Sequence, residues 1–222
     1  MAPGSRVLIS AEILILVGAG TVAIVFSGEE GLGPPGIKQW LVPSFFLYAP
    51  IIASLVSDKD FSAIGLSRPE WRKAGADLLI FSFIILPIFL VSWWALARYG
   101  QGMSFRFRSP EGLAGLILWQ LLGVALPEEV FFRGWLQGRI NQLLSKSWRI
   151  PGAMIGPGLF IAAALFAGGH FLAKPQPIRL LVFFPGLLFG YFRERQGSVW
   201  GPILAHAAGN ISFLALQSWA VH

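Results

Sequence analysis

The sequence predicts an all-α fold, a polytopic bundle of about seven transmembrane helices accompanied by one interfacial helix. Three observations carry that prediction. Of 222 residues, 55% are hydrophobic and only 13% are charged, about half the charged share expected of a water-soluble globular domain, so the natural solvent is lipid. Apolar runs close to the ~20 residues that cross a bilayer recur along the chain. Nineteen Phe and nine Trp suit a surface that meets acyl chains and seats indole rings at both interfaces.

The elements follow in order. The first run, 7–26, ends at Phe26-Ser27-Gly28-Glu29-Glu30. No small-residue cleavage site stands there, so a retained span is expected rather than a signal peptide. Gly33-Pro34-Pro35-Gly36 breaks the chain before the second span, 39–57, which stops at Ser57-Asp58-Lys59-Asp60. The stretch FSAIGLSRPEWRK, 61–73, mixes apolar and basic residues and suits an interfacial helix. The third span, 74–98, gives way to the charged stretch from Arg106 to Glu111, and the fourth covers 112–138. A turn signal from Ser147 to Gly152 precedes the fifth, 155–173. Lys174-Pro175-Gln176-Pro177 separates it from the sixth, 178–192. Arg193-Glu194-Arg195-Gln196-Gly197 precedes the seventh, 198–218, and Arg193 to Arg195 reads as a solvated loop. The chain, 1–222, thus reads as one integral membrane domain.

The net charge of +6 is spread over the loops. No dense basic run or aromatic-interleaved patch marks a nucleic-acid surface, so anionic lipid headgroups are the expected partner and nucleic acid is not. The chain has no cysteine, which excludes disulfides, thiolate metal sites and a cysteine nucleophile. Lys and Arg number ten on the N-terminal side of the spans against six on the other, which places the N-terminus in the cytoplasm. Short loops and small size point to a prokaryotic plasma membrane.

Within the spans the ionisable or strongly polar residues singled out are Glu12, Asp77, Glu128, Glu129, Arg133, His170, His206 and Asn210. Glu12 and Asp77 lie near span ends and read as interfacial. The others are placed where an ionisable group costs at least a few kcal/mol, which makes each a candidate for function. Hairpin arithmetic tests whether they meet. Glu129 and His170 are equidistant from the turn at 148–152, so two antiparallel helices bring them to one depth. His206, counted from the turn at 193–197, falls within about a helical turn of the same level. Glu129 and Arg133 are four apart, in the favourable order, and share a helix face. Glu128 then points about 100° away. Phe166 and His170, and His206 and Asn210, are also four apart. Pro127 lacks an N–H and is expected to kink the helix just before the glutamates, opening room for water.

These residue types support hydrolysis. A carboxylate in an apolar pocket, working with a histidine, takes a proton from water and returns it to a leaving amine. A second histidine and an asparagine amide stabilise the oxyanion. HExxH and GxSxG are absent, and none of Asp58, Asp60 and Asp77 has a GxGD-like setting. A zinc site using Glu128 or Glu129 with His170 and His206 as ligands, with water in the fourth position, is the alternative chemistry. A non-catalytic membrane scaffold or immunity protein is the alternative class.

The ordered set Glu128-Glu129-x-x-x-Arg133, Phe166-x-x-x-His170 and His206-x-x-x-Asn210 on successive membrane helices resembles the CPBP family of intramembrane proteases. That family includes the CAAX prenyl proteases and bacteriocin-processing or immunity proteins. The resemblance covers about 112–218, including GYFRERQGSVWGPILAHAAGN, and marks that stretch as a catalytic core. It implies a glutamic-type endopeptidase that needs no metal and acts near the C-terminus of a membrane-anchored or C-terminal-tailed protein. It further implies that Glu128 is the water-activating base with His170, that His206 and Asn210 form the oxyanion hole, and that Glu129 and Arg133 support them.

Overall fold

The computed structural model describes residues 3–28, 35–57, 64–100, 102–106 and 112–221. Seven helical rods make up nearly all of them. They are α1 (Pro3–Ser27), α2 (Pro35–Ser57), α3 (Trp71–Gly100), α4 (Leu113–Leu144), α5 (Pro157–Ala173), α6 (a 3-10 turn, Pro177–Val182, running into Phe183–Gln196) and α7 (Trp200–Trp219). The first four are long and apolar enough to cross a membrane, and α5 is a shorter apolar helix. Val7, Leu8 and Leu14 on α1 and Phe83 and Ile88 on α3 are largely exposed, as lipid-facing side chains are in a protein whose solvent is the bilayer. The chain is an integral membrane protein.

Short strands tie the rods at their ends. β1 (Ser104–Phe105) pairs antiparallel with β4 (Ala220–Val221), joining the α3–α4 connection to the end of α7. β2 (Trp148–Ile150) and β3 (Ala153–Ile155) form a hairpin between α4 and α5 at the turn expected there. The main buried cluster lies between α1, α2, α4, α5 and α7, with Phe46, Phe131, Phe132, Trp135, Phe166 and Ile203 among its members.

Several sequence expectations are corrected. The segment 61–73 is not one interfacial helix. Residues 61–63 lie outside the described residues, 64–70 form a packed turn, and helix begins only at Trp71. The physical reason is readable at two positions: Gly65 sits at φ +73°, and Arg68 precedes Pro69, which disfavours helical backbone before it. This turn is strapped onto the α6–α7 corner. Val199 N–H donates to the Gly65 carbonyl at 2.9 Å, the Ser198 hydroxyl reaches the Ser67 carbonyl at 2.7 Å, and the Ser67 hydroxyl reaches the Gly197 carbonyl at 2.9 Å. Ile64 is fully buried, and a Cβ on Gly134 of α4 would run into its carbonyl oxygen. Gly134→Ala is therefore expected to lower stability by about 1–3 kcal/mol through overpacking, read as an earlier thermal transition in detergent micelles.

Glu12 and Asp77, read as interfacial, are interhelical anchors. Glu12 Oε1 accepts from Trp135 Nε1 at 2.7 Å and from Arg139 Nε at 3.1 Å, which docks α1 on α4. Asp77 is buried, accepting from Gln196 Nε2 at 2.8 Å and pairing with Arg195 Nε at 3.0 Å. Arg193 to Arg195, read as a solvated loop, lies in the last turn of α6, which ends at Gln196. It stays helical because Glu194 Oε1 is occupied by Gln137 Nε2 at 2.7 Å and Asn141 Nδ2 at 3.0 Å. Likewise α4 runs on past 138 to Leu144, since Gln137, Arg139 and Ile140 pack inward.

Candidate active site

The two glutamates stand on a single α-turn, Leu126–Glu129, between two π-helical stretches, Trp119–Ala125 and Val130–Leu136. Pro127 supplies no N–H, and the backbone before it widens into the first of these stretches rather than continuing as a regular helix. Wide turns of this kind re-aim side chains and are frequent at functional sites.

Glu129 is the hub. Its Oε1 accepts from Arg133 Nη1 at 3.0 Å, as the spacing of four predicts. It also faces His206 Nδ1 at 2.7 Å. An ionised carboxylate only accepts, so Nδ1 carries the hydrogen in that bond. Exposure is 0% for Glu129, 1% for Arg133 and 6% for His206, so the three charges and dipoles are compensated by one another. The Arg133 guanidinium also lies 4.2 Å from the Phe166 ring centroid, a cation–π contact that faces part of the cation without a hydrogen bond.

Glu128 does not point elsewhere, as regular helical spacing implied. Its Oε2 lies 3.7 Å from His206 Nε2, so one imidazole is bracketed by both glutamates. That oxygen is buried and has no hydrogen-bond partner among the described residues. The Glu128 side chain keeps 19% of its exposure, unlike its neighbour.

Phe166 divides the two histidines. Its ring is 4.5 Å from that of His170 and 6.1 Å from that of His206. His170 Nδ1 bonds the Phe166 carbonyl at 3.1 Å, which fixes the tautomer with Nε2 as the acceptor. Asn210 Nδ2 donates to Gln120 Oε1 at 3.0 Å. No three His, Cys, Asp or Glu side chains among the described residues are grouped so as to hold a metal ion. An apolar groove between α1, α2, α4 and α5, lined by Val17, Thr21, Phe46 and Phe132, reaches Gly168 and Gly169 beside His170.

The structure thus brings together Glu129, Arg133, His206 and Glu128, places Asn210 one turn beyond His206, and sets His170 against Phe166, with no ion pair to either glutamate among the described residues. Sequence reasoning missed Gln120, whose signal was an amide inside the apolar run LILWQLLGVALP. It also missed Gln137, Asn141 and Glu194 as interhelical partners. Phe189, stacked on His206 with ring centroids 5.4 Å apart, had no signal among nineteen phenylalanines.

Residues 110–212 match a family model described as type II CAAX prenyl endopeptidase, Rce1-like. This stretch of the chain, a little under half of it, is similar to the CPBP/CAAX-protease family. All three motifs lie inside the matched CAAX-protease segment, as do both π-helical stretches of α4, and the protein is accordingly a membrane protease. Comparison with curated proteins found no match, and comparison with solved structures found none.

Proposed function

We propose that this CAAX-type protease is an endopeptidase of the glutamic class, cutting a peptide bond near the membrane-anchored C-terminus of a substrate protein in a prokaryotic plasma membrane. The observation that carries the reading is the division of labour between the glutamates. Oε2 is without a hydrogen-bond partner among the described residues in both glutamates, but Glu129 is fully buried and already holds Arg133 and His206 through Oε1, whereas Glu128 faces His206 at 3.7 Å and its side chain is 19% exposed. Glu128, with His170 Nε2, takes a proton from water as the water oxygen attacks the peptide carbonyl carbon. The carbonyl π electrons move onto oxygen, where His206 Nε2–H, in the doubly protonated ring, and the second N–H of Asn210 donate to it. The C–N bond then breaks and the proton held by Glu128 passes to the leaving amine. The chemistry routes no step through a metal. The apolar groove that reaches Gly169 supports an apolar stretch of substrate lying beside the reacting bond.

The test is cleavage of membrane-tethered peptides by the purified protein in liposomes, with a strong chelator in parallel. Wild type is expected to cut with chelator present. Asn210→Ala is expected to lower kcat by about 10²–10³, as for loss of one oxyanion donor, while His206→Ala removes activity altogether. Loss of cutting in chelator with recovery on adding zinc would replace this mechanism by one in which Glu128, His170 and His206 are metal ligands.

A further inference from the structure

Helix α6 supplies no residue to the three motifs, yet it covers the imidazole at their centre. Phe189 lies nearly parallel to the His206 ring, at 5.4 Å and 20°. Phe166 meets the same ring edge-on, at 6.1 Å and 86°. With a face covered, only the edges of the imidazole remain for polar partners, and both nitrogens lie on those edges. Nδ1 reaches Glu129 at 2.7 Å and Nε2 reaches Glu128 at 3.7 Å. The torsion that turns a histidine ring is broad and weakly restrained by itself. One hydrogen bond at Nδ1 leaves the ring free to tilt about it; a flat wall against the face does not.

The wall is itself held in place. α6 approaches α4 through two glycines. A Cβ on Gly186 would stand 3.3 Å from Arg133 Nη2, and one on Gly190 would stand 2.7 Å from Gln137 Oε1. Gln137 Nε2 donates to the Gly190 carbonyl at 3.1 Å and to Glu194 Oε1 at 2.7 Å. Arg133, Gln137 and Asn141 are spaced by four along α4, and Gly186, Gly190 and Glu194 are spaced by four along α6, so each rung meets a partner. Rotation of α6 about its axis would carry Phe189, next to Gly190, off the imidazole and would break the amide–carboxylate lock at the same time.

We propose that Phe189 is a positioning residue of the peptidase, its ring being the wall that keeps His206 edge-on to both glutamates, with the Gln137–Glu194 lock setting where that wall stands. The consequence for turnover rests on the peptidase reading above; the geometric claim does not. The groups facing His206 are Glu128, Glu129 and Arg133 from α4, Phe166 from α5 with His170 behind it, and Phe189 from α6.

The test uses the full chain in micelles, labelled with 15N-histidine, in Phe189→Leu and in Phe192→Leu. Phe192 belongs to the same buried cluster and is equally enclosed, so its substitution loses comparable packing. The chain has three histidines, and His206→Gln assigns the signals. Wild type and Phe192→Leu are expected to give one set of His206 ring signals with Nδ1 protonated. Phe189→Leu is expected to give several sets or a broadened one. In liposomes, Phe189→Leu should lower kcat by about 10–100-fold with KM within about twofold, the signature of a misaimed group. Phe192→Leu should keep kcat while losing a similar amount of thermal stability. Where Phe189→Leu does not fold, Glu194→Ala, acting from the far end of the lock, should produce the same signal splitting. An unchanged His206 signal set in Phe189→Leu, or an equal fall in kcat in Phe192→Leu, overturns the proposal. If wild type cleaves no peptide while the signals split as expected, the peptidase reading fails and the wall stands.

Discussion

Glu129→Ala is expected to destabilise the protein by about 3–5 kcal/mol, the cost of stranding one member of a buried ion pair. Arg133 is 1% exposed, and its hydrogen bond to Glu129 at 3.0 Å is the charge-neutralising contact it makes among the described residues. Its Nη2 has no hydrogen-bond partner there, and the Phe166 face at 4.2 Å is worth about 2 kcal/mol at most. Removing the carboxylate leaves a buried cation inside the longest rod, about 30 Å of helix from its first residue and about 16 Å from its last. The double variant Glu129→Ala with Arg133→Met should recover most of the lost stability, because an apolar side chain of similar length removes the stranded charge. It should not recover cleavage, because His206 has still lost its 2.7 Å partner. Equilibrium unfolding in mixed micelles, arranged as a double-mutant cycle, measures both. A loss below about 1 kcal/mol in the single variant would mean that the guanidinium finds solvent or another counter-charge, and the hub described for Glu129 would then be wrong.

What the sequence made legible and what it hid divide along one physical line: it encodes depth better than azimuth. Depth follows from counting residues from a turn, and the hairpin at 148–155 is where the arithmetic for Glu129 and His170 required it. The pairing of Glu129 with Arg133 was legible because both lie on one helix, where spacing fixes the face. Partners on different rods were not. Trp135 and Arg139, also four apart, meet Glu12 across more than a hundred residues, and nothing in either segment announces the other. The direction of Glu128 was misjudged for a related reason. An ideal helix turns adjacent residues about 100° apart, but π-helical stretches on both sides of the glutamates and a long flexible side chain let both carboxylates reach the same ring. The segment 61–73 was misread on composition, although Gly65 and Arg68-Pro69 carried the breaking signal. Gln120 and Gln137 passed as unremarkable polar residues, because an amide in an apolar run shows its role only when its partner on another helix is known.

Glu128→Gln is the most decisive single substitution. Hairpin counting could not separate Glu128 from Glu129 as the base; the engagement of Glu129 by Arg133 and His206 and the greater exposure of Glu128 support Glu128. Glutamine is nearly isosteric and uncharged, so at Glu128 it strands no ion: the side chain is 19% exposed and its partner contact with His206 is long, at 3.7 Å. Stability should therefore change by no more than about 0.5 kcal/mol, the range for changes away from packed features. Cleavage should fall by about 10²–10⁴, the contribution of a positioned general base, because an amide cannot take the proton from water. KM should stay within about twofold, since the loss falls on an interaction made in the transition state rather than in binding. The comparison with Glu129→Ala is what gives the result meaning. That variant loses activity together with the fold, whereas Glu128→Gln should lose activity with the fold intact, as judged by its unfolding midpoint and by retention of the His206 ring signals. If Glu128→Gln instead cuts at the wild-type rate, the base is another group. His170, whose Nε2 is left as acceptor by the bond from Nδ1 to the Phe166 carbonyl, would then be the group to test alone.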